Sequence, residues 1–259
     1  MDTIDLQYLR MAKEILEKPS LTARIAAKVG APVEKGLTML PKKLQTTLHK
    51  ATEKAIHTAF DLAASTMEKQ SGRSSQNFAH KAMVAGTGGL GGFFGPLALA
   101  AELPVSTTLI MRSIIDIAQS EGENIDDPET KLACLEVFAF GGYSPSDDAA
   151  GSGYIMTRAA LATAIKDAAQ ILVGRAAVSE GSPVLVRLLA NIASRFELVV
   201  AEKAAAQLVP LIGAVSGATI NVIFMDHFQD MARGHFIVRR LERKYGVEEI
   251  QRRYLEIKI

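Results

Sequence analysis

From Ala82 to Ala101 the chain runs for 20 residues without a charge, and from Ala204 to Met225 it does so for 22. Stretches of that length must leave water, either into a protein core or into lipid, and about 20 apolar residues are enough to span a bilayer. Their content argues against simple spans. The first holds six glycines, Thr87 and a proline, and the second holds Gln207, Pro210, Gly213, Ser216, Gly217, Thr219 and Asn221. Each such residue weakens insertion, although small residues let helices approach closely. Three readings follow: a core in which the two stretches pack together, a reversible membrane-inserting hairpin, or an integral protein. Gly86, Gly88, Gly89, Gly91, Gly92, Phe93, Phe94, Gly213 and Gly217 are the residues expected to do the packing or the membrane contact.

The rest of the chain reads as helix. Alternating β-branched runs are nearly absent, while alanine, leucine, lysine and glutamate fill long windows. An amphipathic helix is expected from about Thr3 to Lys18, a second capped by Ser20, and breaks at Pro32 and Pro41. A long helix then runs to about Glu68. Another starts at Pro104 and ends near Ser120. In "DPETKLACLEVFAFGG", Asp127 is the candidate N-cap, Pro128 takes the first helical position, and Gly141 closes the element. Further helices reach Lys203, and the chain ends in a helix, a break at Gly246 and a short last helix. The expectation is an all-α fold of about ten helices. It forms one domain over residues 1–259, with an N-terminal portion at 1–73 and a helical core at 74–259.

Charge is balanced, 29 basic against 28 acidic residues, which gives no footprint for nucleic acid. It is not evenly spread. Residues 82–151 hold 2 basic and 10 acidic side chains, whereas the C-terminal region is basic. There, Arg239, Arg240, Arg243 and Lys244 are candidates for contact with anionic lipid head groups. Cys134 is the sole cysteine and sits in an apolar run, so it reads as a small buried residue in a reducing compartment. The N-terminus lacks a basic region followed by an apolar core, so no signal peptide is expected. Cytoplasmic residence, with peripheral attachment to the inner membrane, is the corresponding expectation.

Several motifs carry possible chemistry. Gly86, Gly88 and Gly91 match G-x-G-x-x-G, but no strand precedes them and no lysine with Ser/Thr follows, so nucleotide binding is rejected. In "MDHFQDMARGHF", Asp226, His227 and Asp230 fall within an arc of about 100° on a helix. With His235, brought round by a break at Gly234, they are the alternative site for a divalent metal such as zinc or manganese. The competing reading is a polar face in which His227 and Asp230 pair near Arg233. Arg112 and Asp116 lie one turn apart in an apolar helix, and Glu102 joins that face if the helix only kinks at Pro104, giving a candidate buried polar cluster. No G-x-S-x-G or other protease motif is present.

Two long segments carry a resemblance. "GGLGGFFGPLALAAELPVSTTLIMRSIIDIAQSEGENIDDPETKLACLEVFAFGG" resembles the central signature of the EcsC family of bacterial proteins, and "VPLIGAVSGATINVIFMDHFQDMARGHFIVRRLERKYG" is similar to its C-terminal signature. The N-terminal "GAPVEKGLTMLP" is similar to the family's opening. That family is named for a protein encoded beside an ABC transporter linked to secretion, and the resemblance brings no defined activity, cofactor or catalytic residue. The expected function is therefore non-enzymatic: binding of lipid, or of a membrane protein such as a transporter, at the inner membrane face. A metal-dependent hydrolase and a soluble lipid carrier are the alternatives.

Overall fold

In the computed structural model the described residues are 1–17, 21–29, 40–65, 96–142, 152–174, 182–208 and 217–259. Among them are nine α-helices, one short 3-10 turn and no strand, an all-α domain. The helices are α1 (Thr3–Leu16), α2 (Leu21–Val29), α3 (Lys42–Ser65), α4 (Pro96–Ser120) and α5 (Pro128–Glu136). After a 3-10 turn at Val137–Ala139 come α6 (Gly153–Gly174), α7 (Pro183–Leu208), α8 (Gly217–Tyr245) and α9 (Val247–Glu256). Most of the glycine-rich stretch, Gly86 to Phe94, and Gly213 lie outside the described residues; Gly217 opens α8.

The ends of the helices follow local chemistry where the chemistry is local. Asp2 caps α1 by accepting from the Asp5 amide at 2.8 Å, with Asp5 at the positive end of the helix and Lys13 in its last turn. Pro128 opens α5 behind an extended Asp127, though the Asp127 side chain makes no cap bond. Past α5 the chain tightens into the 3-10 turn, extends at Phe140 and turns at Gly141 with φ 76°. Gly246, at φ 90°, separates α8 from α9.

Neither the helix start expected at Pro104 nor the break at Gly234 that would bring His235 round to the Asp/His face occurs. The helix expected from Pro104 starts at Pro96 and passes through the proline. Pro104 removes one backbone hydrogen bond, a cost of about 3 kcal/mol in a helix interior. Leu99 and Leu103 before it and Ile110, Met111 and Ile114 after it all enter the same core, and burying each is worth about 1.5–3 kcal/mol. Packing wins. Gly234 likewise sits inside an unbroken α8. Its reason lies in the neighbouring helix: a Cβ there would stand 2.6 Å from Leu16 Cγ and 3.2 Å from the Ala12 carbonyl oxygen. The glycine sets how closely α1 lies on α8. Gly234→Ala is expected to cost about 1–3 kcal/mol by pushing α1 outward, measured as a lower midpoint in urea.

The long α8 is the spine of the domain. Phe224, Phe228, Ala232 and Phe236 along it are fully buried, and Phe224 and Phe228 form one cluster with Phe138 and Phe196 in which ring centroids stand 5.1 to 6.2 Å apart, mostly edge to face. Beside it α4 runs in the same direction. Glu102 meets Asn221, Ser113 meets Gln229, and Glu123 past the end of α4 meets Arg239. Helix α7 runs the opposite way, so that Lys203 near its end reaches Glu102 near the start of α4. On the far side α1 lies antiparallel to α8, and α9 folds back over both. There the buried Lys13 ammonium donates to the Tyr254 and Ile257 carbonyls at 2.8 and 2.7 Å, holding the C-terminal end of α9. Among the described residues no helix is long and apolar enough to cross a membrane.

Candidate functional site

Two buried polar knots stand at opposite ends of α8. The first joins the starts of α4 and α8 to the end of α7. Glu102 accepts from the Lys203 ammonium at 3.2 Å and from the Asn221 side-chain amide at 2.9 Å. Lys203 is wholly buried, its Nζ 4.4 Å from the centroid of the Phe224 ring. Burial pulls its pKa down, and the Glu102 carboxylate opposes that pull. A buried pair of this kind is costly to break, because either partner left alone is an uncompensated charge.

The position of this knot in the sequence is informative. Glu102 is the charge that closes the first uncharged stretch, and Lys203 is the charge that precedes the second. Their contact places the inner ends of both stretches at one end of the helical bundle. The expected cluster of Glu102 with Arg112 and Asp116 does not form. Arg112 is exposed and Asp116 is partly buried. Ten residues of helix set Arg112 about 80° around and about 15 Å along from Glu102. Its guanidinium stays in water while Glu102 takes its counter-charge from another helix.

The second knot ties α5, α6 and α8 together. His235 is fully buried; its Nδ1 lies 3.0 Å from the Tyr154 hydroxyl, and its Nε2 faces Glu136 Oε2 at 3.7 Å. Phe140 and Tyr154 pack their rings on the imidazole. Next to them Arg158 clamps Glu242 with two bonds of 2.6 and 3.0 Å, and Arg239 holds Glu123 at 2.9 Å. Burial would raise the Glu123 carboxyl, but Arg239 and Arg243 overcome it and hold it below the usual range. Glu136 has no such clamp. Burial pushes it up to about 7, against the weaker pull of Arg158 and Arg239. Burial, then the fields of the same two arginines, holds His235 well below its ordinary value.

The Asp/His face expected on α8 is divided between partners. Asp230 binds Arg24 of α2 at 3.0 Å and Arg233 at 3.3 Å. His227 is buried against Gly141, and its Nδ1 lies 3.4 Å from Arg24. Since a guanidinium only donates, Nδ1 accepts and the proton sits on Nε2, which is buried and meets no hydrogen-bond partner among the described residues. Burial, then the charge on Arg24, pushes this imidazole down to about 3. Asp226 is partly buried. His235 looks to the other knot, because without a break at Gly234 it lies about 80° and about 12 Å from His227. Among the described residues no group of three or more His, Cys, Asp or Glu side chains is arranged to hold a metal ion.

The basic residues near the end of α8 also have partners. Arg239 and Arg243 converge on Glu123, Arg240 reaches Glu121 at 2.7 Å and lies over the Tyr8 ring, and Lys244 meets Asp5 at 2.6 Å and Asp2 at 3.3 Å. Cys134 is buried, and burial pushes its thiol up, as befits a packing residue. Sequence reasoning passed over Lys203, Asn221, Arg24, Glu136, Tyr154, Arg158 and Glu242. Two of them carried a signal: Lys203 borders an uncharged stretch, and Glu136 is a lone charge in the apolar run "LACLEVFAF".

Compared with known protein families, the chain matches the EcsC protein family over residues 5–241 of its 259. No curated protein and no solved structure gives a significant match. The match spans α1 to most of α8, including both polar knots except Glu242, and the chain belongs to the EcsC protein family.

Proposed function

We propose that the protein acts at the cytoplasmic face of a membrane as a binding protein, and that the bundle end around Glu102, Lys203 and Asn221 is the end that meets lipid or a membrane partner such as a transporter. The observation that carries the reading is the Glu102–Lys203 contact of 3.2 Å, which gathers the inner ends of both uncharged stretches at one pole. Val105, one turn from Glu102 on α4, is half exposed there and adds apolar surface. The pairing of Arg239, Arg240, Arg243 and Lys244 with acidic partners changes the expected character of the contact. Attraction to anionic head groups is weakened when the cations are already neutralised, so apolar contact is the main driving force.

Flotation with lipid vesicles tests this. The protein is expected to rise with neutral phosphatidylcholine vesicles as well as with anionic ones, and to do so with little dependence on salt. Aspartates in place of Phe93 and Phe94, which lie outside the described residues, are expected to abolish flotation. Protein that remains at the bottom with both vesicle types overturns the lipid reading. Flotation with anionic vesicles alone, lost at high salt, returns the contact to the basic residues.

A further inference from the structure

Among the described residues Glu136 has no Lys or Arg counter-ion of its own. It ends α5, is almost fully buried, and is faced by Arg158 and Tyr154 on α6 and by His235, Arg239 and Glu242 on α8. On its own helix Cys134 shares the fields of Arg239 and of Glu123 from the preceding turn. The two arginines are committed elsewhere: Arg158 gives two bonds to Glu242, and Arg239 holds Glu123. Nε2 of His235 lies 3.7 Å from Glu136, fully buried and with no hydrogen-bond partner among the described residues. An ionised carboxylate beside a neutral imidazole in so dry a place pays a large desolvation cost, whereas a carboxylic acid donating to that nitrogen does not.

We infer that Glu136 carries a proton in the folded protein and shares it with His235 Nε2, making Tyr154, His235 and Glu136 a buried joint between α5, α6 and α8 that loosens when the proton leaves. In the joint the 3.7 Å gap closes by about 0.7 Å so that the Glu136 hydroxyl donates to Nε2, while Nδ1–H donates to the Tyr154 oxygen at 3.0 Å. Moving the proton across to Nε2 leaves the net charge unchanged. Losing it to solvent leaves one negative charge that Arg158 and Arg239, already paired, do not offset.

The signs with pH are opposed within the joint. Glu136 lies above its unfolded value, so its contribution to stability is full below about pH 4.5 and is lost as pH rises through about 7. His235 and His227 lie below theirs, so their contribution is present above about pH 6.5 and is lost as pH falls. Between about pH 4.5 and 6.5 the unfolded chain binds two protons at these histidines, and the folded chain keeps one at Glu136. Their net effect is about a tenfold fall in the folding constant per pH unit of acidification. Glu136→Gln keeps a donor toward Nε2 but cannot ionise. In that variant the fall is expected to steepen to about a hundredfold per pH unit, and the decline as pH rises through about 7 is expected to vanish. Other titrating groups, such as His49 with Glu197, are common to both proteins and cancel in the difference.

Urea unfolding of both proteins across this range reads the slopes. Infrared spectra of the wild-type protein at about pH 6 are expected to show a carboxylic-acid band that shifts in heavy water. Equal slopes in the two proteins, or a wild-type spectrum without that band, overturns the assignment. The infrared measurement stands even where Glu136→Gln does not fold.

Discussion

Arg158→Met is expected to lower the stability of the domain by about 3–5 kcal/mol, the cost of leaving a buried carboxylate without its partner. Arg158 donates two bonds to Glu242 at 2.6 and 3.0 Å, and both side chains are largely buried. The fork geometry lets one guanidinium satisfy both oxygens, and lysine has no equivalent fork. Methionine leaves the Glu242 carboxylate with neither water nor a cation. It also takes away one of the two positive fields that pull against the burial of Glu136. The double variant Arg158→Met with Glu242→Met is expected to recover most of the loss, since apolar replacement of both members of a buried pair is often neutral or stabilising. Chemical denaturation of wild type, both single variants and the double one reads the coupling directly. Single-variant costs that simply add in the double would show that the two side chains do not act as a pair.

Which parts of this structure were legible in the sequence follows from how far the deciding interaction reaches. Pro128 and Gly141 announced the bounds of the α5 segment because a proline's missing amide and a glycine's positive φ act within one turn. Pro104 was read as a helix start by the same local logic, and there it failed, as did the break at Gly234 that His235 would have needed to join the Asp/His face. What carries α4 on through Pro104 is the core on either side of it, and what demands Gly234 is Leu16, more than 200 residues earlier. The family was legible because its two long signatures are contiguous.

The candidate sites were legible as ingredients and not as partnerships. Glu102 was marked, but its cation was sought about three turns along the same helix instead of on an antiparallel one. The four basic residues of α8 were marked for contact with lipid head groups, while the acidic excess in residues 82–151 was noted separately; Glu121 and Glu123 of that acidic region pair with Arg239, Arg240 and Arg243, and Lys244 pairs with Asp2 and Asp5. Tyr154 left almost no trace, and Glu136 only that of a lone charge in an apolar run, since both acquire meaning when His235 arrives between them. Periodicity tells which face of a helix is buried. It does not tell what waits on the other side.

Gly141→Ala is the second large effect, and it separates the two demands that this position makes. At φ 76° an alanine costs about 1–2 kcal/mol in backbone strain alone. Its Cβ would also stand 2.4 Å from both Cε1 and Nε2 of His227. The imidazole has little room to yield: it is buried, Arg24 reaches its Nδ1, and the Phe228 ring lies 5.1 Å from it. Overpacking of that kind adds about 1–3 kcal/mol, for a total of about 2–5 kcal/mol. In a His227→Ala background the ring is gone, and the same substitution is expected to cost the backbone share alone, about 1–2 kcal/mol. Urea denaturation of the four proteins completes the cycle. If Gly141→Ala costs as much without the imidazole as with it, the turn needs glycine for its backbone alone, and the contact with His227 is incidental.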